Sequence, residues 1–233
     1  MESKKLVLLG GGGHCKSVLD VIIRNGEYED VVITDSAMPV GTRILNAPVV
    51  GTDEMIPVLF QDGYHHAFVT VGSIGDSKIR IKLAALAESI GFEFPVIADP
   101  SAQISKFVTI GGGTFIGKNA VINADSYIGN HCIINTGSII EHGCGIGDYS
   151  HISVGTILCG DCKVGAKSFI GAGSTVIQGI DIGHNVIVGA NSTVLTDVED
   201  NMKIYGIVKQ IPGGYSLTSI FMPFHWINYQ EVA

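Results

Sequence analysis

The stretch ISKFVTIGGGTFIGKNAVINADSYIGNHCIINTGSIIEHGCGIGDYSHI, from Ile104 to Ile152, decides the fold. Every sixth residue from Ile104 is a branched aliphatic: Ile110, Ile116, Ile122, Ile128, Ile134, Ile140, Ile146 and Ile152. The register then runs on through Leu158, Val164, Ile170, Val176, Ile182 and Val188 to Val194 without a slip. Two residues before each aliphatic the side chain is usually small, as at Thr114, Ala120, Ser126, Cys132, Ser138, Cys144 and Ser150. The residue after it is often glycine, as at Gly111, Gly117, Gly129 and Gly147. A period of six fits neither a free helix nor an alternating strand. It fits a coil with flat faces and tight corners, in which the aliphatic points inward and the small residue packs near a corner. The glycine, or an asparagine such as Asn123 or Asn135, is expected to supply the positive φ that a corner needs. Three six-residue faces close one turn, giving about five turns of a triangular β-helix over 99–200. No proline occurs between Ser101 and Ile211, as expected where most N–H groups serve a ladder.

Outward from this segment the pattern changes. Lys5–Leu9 reads as a buried strand followed by Gly10-Gly11-Gly12-Gly13-His14 and a helix from about Lys16 to Asn25. Val31–Thr34 reads as a second strand ending at Asp35, and Ala67–Val71 as a third, followed by Gly72-Ser73. A helix is expected over Asp76–Ser89 and a last strand over Phe94–Ile97. Strands alternating with helices imply a small parallel α/β domain over 1–98. Glycines after the first strand let the backbone approach a phosphate, and a helix N-terminus favours anions. Asp35, at the tip of the second strand, stands where a ribose hydroxyl usually finds its acceptor. The spacing is not GxGxxG, so the pattern points to a nucleotide rather than a nicotinamide dinucleotide.

Composition sets the outer limits. The 233 residues include 31 glycines, 46% hydrophobic residues and only 15% charged ones, the last against about 25% in ordinary domains. Such a chain is neither disordered nor collagen-like. No apolar run approaches the roughly 18 residues of a membrane span, so no integral membrane segment is expected. A net charge of −8 argues against nucleic acid as a partner. The odd number of cysteines, five, points to the reducing cytoplasm.

A short Rossmann-like domain with a Gly-Gly-Gly-His turn, then Asp99-Pro100-Ser101-Ala102, then an unbroken hexapeptide prism, resembles the bacterial hexapeptide-repeat sugar O-acyltransferases of the sialic acid O-acetyltransferase type. Ile140-Glu141-His142 and Ser150-His151-Ile152-Ser153 sharpen the likeness toward the branch that N-acetylates nucleotide-linked amino sugars. The resemblance implies an α/β Rossmann-like domain followed by a left-handed parallel β-helix, assembled as a homotrimer. It implies acetyl-CoA as cosubstrate, no metal, and a nucleotide-linked 4-amino sugar as acceptor, for surface glycan biosynthesis. His142 matches the family's general base, flanked by Glu141 and Gly143. His151, Gly160, Ala172 and Ala190 match positions that line the acetyl-CoA cleft. Gly12, Gly13, His14, Thr34, Asp35 and Gly72 match positions that hold the nucleotide. Two alternatives remain: O-acetylation of a sugar hydroxyl, and a non-catalytic nucleotide-sugar-binding trimer.

One departure stands out. Family members often place a carboxylate directly after the catalytic histidine, where this chain has Gly143. An orienting group is then expected from a backbone carbonyl, from Asn135 or Asp125 on a stacked turn, or from a neighbouring chain. Of the other histidines, His131 and His184 fall at corners and are expected on the surface, and His65 and His66 are expected to be solvated. Cys159-Gly160-Asp161-Cys162 has the CxxC form, but Cys162 fills the same small-residue slot as Cys132 and Cys144, so these read as small buried hydrophobes rather than zinc ligands. The C-terminal extension, 201–233, departs from the hexad. Its end carries Tyr215, Phe221, Phe224, Trp226 and Tyr229 and is expected to pack on the last turn or on a neighbouring subunit.

Overall fold

The structure, a computed structural model, describes residues 4–209; the aromatic segment from Tyr215 to Tyr229 lies outside the described residues. In the N-terminal domain, β1 (Lys5–Leu9) leads into α1 (Gly13–Asn25), then β2 (Asp30–Thr34), β3 (Arg43–Ile44), β4 (Ala47–Gly51), α2 (Ile56–Gln61), β5 (His66–Val69) and α3 (Lys78–Ile90). The sheet order is β3-β4-β2-β1-β5, all parallel except the β3-β4 hairpin. Leu6, Val7, Leu8 and Leu9 of the central β1 are fully buried, as a strand covered on both faces requires. Helix α1 starts at Gly13, earlier than Lys16, because the glycine turn folds straight into it. Asp76 stays outside α3, its carboxylate accepting from the Lys78 N–H at 2.9 Å.

The strand expected over Phe94–Ile97 is not a strand of this sheet. Pro95 has no N–H to give to a ladder, and the Phe94 and Pro95 carbonyls instead accept from Gly113 N–H, each at 3.2 Å. Ile97–Ala98 pairs with Phe115–Ile116 and is the first strand of the prism.

The prism stacks parallel two-residue strands into three flat sheets of seven, five and seven strands. Up to Val194 each strand pairs with the one 18 residues on, such as Ile133 with His151 and Ile139 with Ile157; the last coil is shorter, with Ile187 opposite Lys203 and Thr193 opposite Ile207. The aliphatics from Ile116 to Val194 form one buried column. Small residues close the corners: the hydroxyls of Thr114, Ser150 and Ser174 donate to the carbonyls of Gly129, Gly165 and Gly189 at 2.8–2.9 Å.

The left-handed corner does not fall where the sequence pattern put it. It lies three residues after each aliphatic, at Asn119, Asp125, His131, Tyr149, Asp161, Lys167, Asn185 and Asn191, with φ of 53–63°. Asn123 and Asn135 are not among these positive-φ residues. Gly143 is, at φ 68°. The glycine that directly follows the aliphatic is there for closeness instead. A Cβ at Gly171 would stand 2.5 Å from Ala190 N and 2.6 Å from Gly189 C, both backbone atoms of the next coil. Neither coil can retreat without breaking its ladder, so Gly171→Ala is expected to cost about 3 kcal/mol, as overpacking does, and to lower Tm by about 6–12 °C. A Tm within about 2 °C of wild type in a thermal melt contradicts this.

The α/β domain sits on one prism face. Ile97, Phe115 and Ile133 point outward from that face into the core formed with Cys15, Leu19 and Ile22 of α1. Arg24 of α1 pairs with the buried Asp99 carboxylate at 3.1 Å. Arg80 of α3 is buried against the prism and donates to the Tyr149 carbonyl at 3.2 Å and to the His131 carbonyl.

Candidate active site

His142 stands two residues after the inward Ile140, where the chain leaves one face and turns the corner. Its side chain is 60% exposed. Beneath it is Gly160, one coil on. A Cβ at Gly160 would lie 2.5 Å from Cε1 and 2.7 Å from Nε2, so the imidazole rests where a side chain would have been. Asp161 N–H donates to the His142 carbonyl at 2.8 Å, and Asp161 Oδ1 lies 3.9 Å from His142 Nδ1. Glu141 is held elsewhere: its Oε2 accepts from Asn123 Nδ2 at 3.0 Å. Of the orienting groups expected from the sequence, Asn135 lies 3.4 Å from His151 Nε2. Asp125 occupies the same corner as Gly143 one coil earlier.

Ala172 and Ala190 are exposed and stacked at another corner, where Asn191 N–H donates to the Ala172 carbonyl at 2.8 Å. Between that corner and the one carrying His142 and Gly160 lies a single prism face. Its outward positions are Gln103, Val121, Ile139, Ile157, Thr175, Thr193 and Ile207, none of them charged.

The residues expected to hold a nucleotide gather at the sheet's carboxyl edge. Gly12 and Gly13 are exposed at the N-terminus of α1, with open space where their Cβ atoms would be. Gly11 N–H donates to Asp35 Oδ2 at 2.7 Å, while Ala37 and Met38 N–H groups donate to Oδ1 at 2.8 and 3.0 Å. Burial works to raise the Asp35 pKa, but these three donors outweigh it and hold the carboxyl below its ordinary value. Asp35 therefore anchors the glycine turn. Thr34 is fully buried, and Gly72 is exposed, 3.4 Å from His14 Cβ at its own Cβ position.

His14 and His151 share one environment. His151 does not join the corner of Ala172 and Ala190. It points outward from the face that the α/β domain covers, its Nδ1 3.0 Å from the Ser73 carbonyl and its ring edge-on to Phe169. His14 packs edge-on to Phe115 with centroids 5.2 Å apart, and its Nε2 is buried without a protein partner. Burial foremost, then the charge of His151 and of Arg80, lowers the His14 pKa to about 3. Burial likewise lowers His151 to about 4, with Arg80 adding to it and the Ser73 carbonyl opposing.

Two residues were missed. His131 is buried, not a surface corner. It stacks on Tyr149 with ring centroids 4.9 Å apart and meets Glu88 of α3 at 3.2 Å. The signal was available: Phe115, Ile133 and His151 share the outward column beside it, too apolar for a wet face. Asp161, the second, was hidden by sequence distance from His142. His184 is exposed as expected; His65 is exposed, while half-buried His66 belongs to β5. Cys132, Cys144 and Cys162 are buried in the small-residue column. Among the described residues no group of three or more His, Cys, Asp or Glu is placed to hold a metal, and no helix is long and apolar enough to cross a membrane.

Residues 5–87 match the PglD N-terminal domain, and 107–142 and 161–196 match the bacterial transferase hexapeptide (six repeats). The prism is accordingly the left-handed parallel β-helix of hexapeptide proteins. A point mutant of perosamine N-acetyltransferase from Caulobacter crescentus, in complex with CoA and GDP-perosamine, is 37% identical, with a TM-score of 0.81 over 87% of this chain and 93% of that one. The acetyltransferase domain of PglB from Neisseria gonorrhoeae, in complex with acetyl coenzyme A, is 31% identical, with a TM-score of 0.82 over 88% of this chain and 97% of that one. WeeI from Acinetobacter baumannii, at 18% identity and a TM-score of 0.66, shares the fold. No curated protein matches the sequence.

Proposed function

Because the chain belongs to the bacterial acetyltransferases that join a PglD-type N-terminal domain to a hexapeptide prism, we propose that it transfers acetyl from acetyl-CoA to the amino group of a nucleotide-linked amino sugar. The observation that carries this is the 37% identity, across both domains, with an enzyme crystallised with CoA and GDP-perosamine. A 4-amino sugar destined for a surface glycan is the acceptor we favour.

In the proposed mechanism the exposed glycine turn and the N-terminus of α1 hold the nucleotide's phosphates through backbone N–H groups. The sugar amine reaches the prism corner and attacks the thioester carbonyl carbon. His142 takes the proton that the nitrogen sheds, acting as general base. The tetrahedral intermediate then collapses. Its C–S bond breaks, and the thiolate of CoA leaves and takes up a proton from the His142 imidazolium. The products are the amide and free CoA, and the base is restored. No covalent enzyme intermediate is needed when both substrates bind together.

We further infer that three copies assemble around the uncharged face. Ile157 is 36% and Ile207 67% exposed on that face in the single chain, and the core of an interface between chains is depleted of charged residues. The corner with His142 and the corner with Ala172 and Ala190 flank that face, so pairing of two prisms sets one corner of each chain at a shared cleft for acetyl-CoA.

The test is a panel of GDP-, UDP- and dTDP-linked amino sugars incubated with acetyl-CoA and the protein, with products read by mass spectrometry. The expected result is gain of one acetyl group that resists hydroxylamine, marking an amide. Hydroxylamine-labile product would identify an ester and O-acetylation. No acetylated product from any member of the panel would overturn an acetyltransferase role.

A further inference from the structure

We propose that Asp161 is the positioning residue for His142, taking the part that an acidic residue at position 143 would play; this rests on His142 being the base. Positions 143 and 161 are the same left-handed corner on successive coils, 18 residues apart, with φ of 68° and 62°. A Cβ on residue 143 would begin 2.3 Å from Asp161 Oδ1. The carboxylate of Asp161 thus fills the volume that a side chain at 143 would enter, and the glycine is what leaves it room. From there it stands 3.9 Å from His142 Nδ1. Glu141, adjacent in sequence, is tied to Asn123.

The geometry assigns two effects. A carboxylate beside Nδ1 favours the tautomer with its proton on Nδ1, which leaves Nε2 free to accept the amine's proton. It also gives the imidazolium formed when that proton arrives a negative partner. Asp161 keeps its place through its backbone, since its N–H is bonded to the His142 carbonyl at 2.8 Å. The base and its carboxylate are therefore tied by one hydrogen bond of the coil-to-coil stack.

The test compares wild type with Asp161→Asn, with the swap Gly143→Asp/Asp161→Gly, and with His142→Ala, by steady-state kinetics across pH. Asparagine accepts the left-handed corner, and melting curves confirm that each variant is folded. Asp161→Asn is expected to lower kcat by about tenfold to a hundredfold with both KM values within about twofold. The acid limb of kcat/KM is expected to move to lower pH. The swap, which returns a carboxylate from position 143, is expected to recover most of both losses. A shift in the His142 Cε1–H titration between wild type and Asp161→Asn, followed by NMR without substrates, gives the same readout independent of turnover. An Asp161→Asn enzyme with unchanged kcat and acid limb overturns the proposal. So does a loss of kcat with an unmoved limb and no recovery in the swap, which marks a structural residue. If His142→Ala turns over like wild type, the base assignment itself is wrong and the proposal falls with it; a dead His142→Ala beside an unaffected Asp161→Asn removes Asp161 alone.

Discussion

His142→Ala is expected to lower kcat by about a thousandfold, within the 10²–10⁴ range that a placed base contributes, and to leave the fold intact. The side chain is 60% exposed, so its loss opens no cavity. Gly160→Ala should come close to the same result without removing any reacting group. Its methyl would start 2.5 Å from His142 Cε1, and the histidine side chain, free to rotate, is the partner that yields. The imidazole is then swung off its glycine seat, and misplacement by about 1 Å costs on the order of a hundredfold. Both variants should melt near the wild-type temperature, in contrast to Gly171→Ala, where the opposing atoms are backbone. Turnover at wild-type level in both would remove His142 from the chemistry; wild-type turnover in Gly160→Ala alone would show that the ring has another productive position.

The second large effect is acid lability. His14 and His151 are neutral in the folded chain, with pKa values lowered from 6.5 to about 3 and about 4. When the chain unfolds, both regain an ordinary imidazole pKa. Between about pH 6.5 and pH 4 the unfolded state therefore binds more protons, and stability falls as pH falls. Stability is complete above the unfolded pKa, and at pH 5 each group has removed on the order of 2 kcal/mol. Because both side chains lie between the α/β domain and the prism, acid should first loosen that junction. Urea melts at pH 7 and pH 5 check this. His14→Asn/His151→Asn, in which an amide can still donate to the Ser73 carbonyl, should show a clearly flatter dependence on pH. An equal slope in wild type and variant would place the acid sensitivity elsewhere.

Much of this was legible in the sequence because the prism repeats. One buried aliphatic per six residues fixes inward, outward and corner positions together, and the small residue before it reports the corner hydroxyl or thiol. The role of the glycines was less legible. A glycine required by a positive φ and one required by a neighbour's backbone look alike in one dimension. Only stacking separates Gly143 from Gly171. The α/β domain was readable in its central strands, where burial on both faces leaves unbroken apolar runs. The β3-β4 hairpin and the short α2 were not, because their apolar runs each hold a proline, Pro48 and Pro57, that reads as a break in a local pattern. The partners of His142 and His131 were hidden for another reason. Asp161 is 19 residues from the histidine it meets, and Glu88 is 43 from His131. Such contacts follow from coil stacking and domain docking, which local patterns do not encode.

The 18-residue stacking, regular from Ile97 to Val194, also makes the prism a ruler. Successive coils are one β-ladder spacing apart, about 4.8 Å. Counted along the axis, Ala172 lies about 8 Å and Ala190 about 13 Å beyond His142. Reach along the cleft is thus graduated in whole coils. A chain that gained or lost one complete coil between Gly160 and Ala190 would keep every aliphatic in step and leave His142 and its glycine seat untouched. On the proposed mechanism it would change only how far bound acetyl-CoA must extend to bring its thioester to His142.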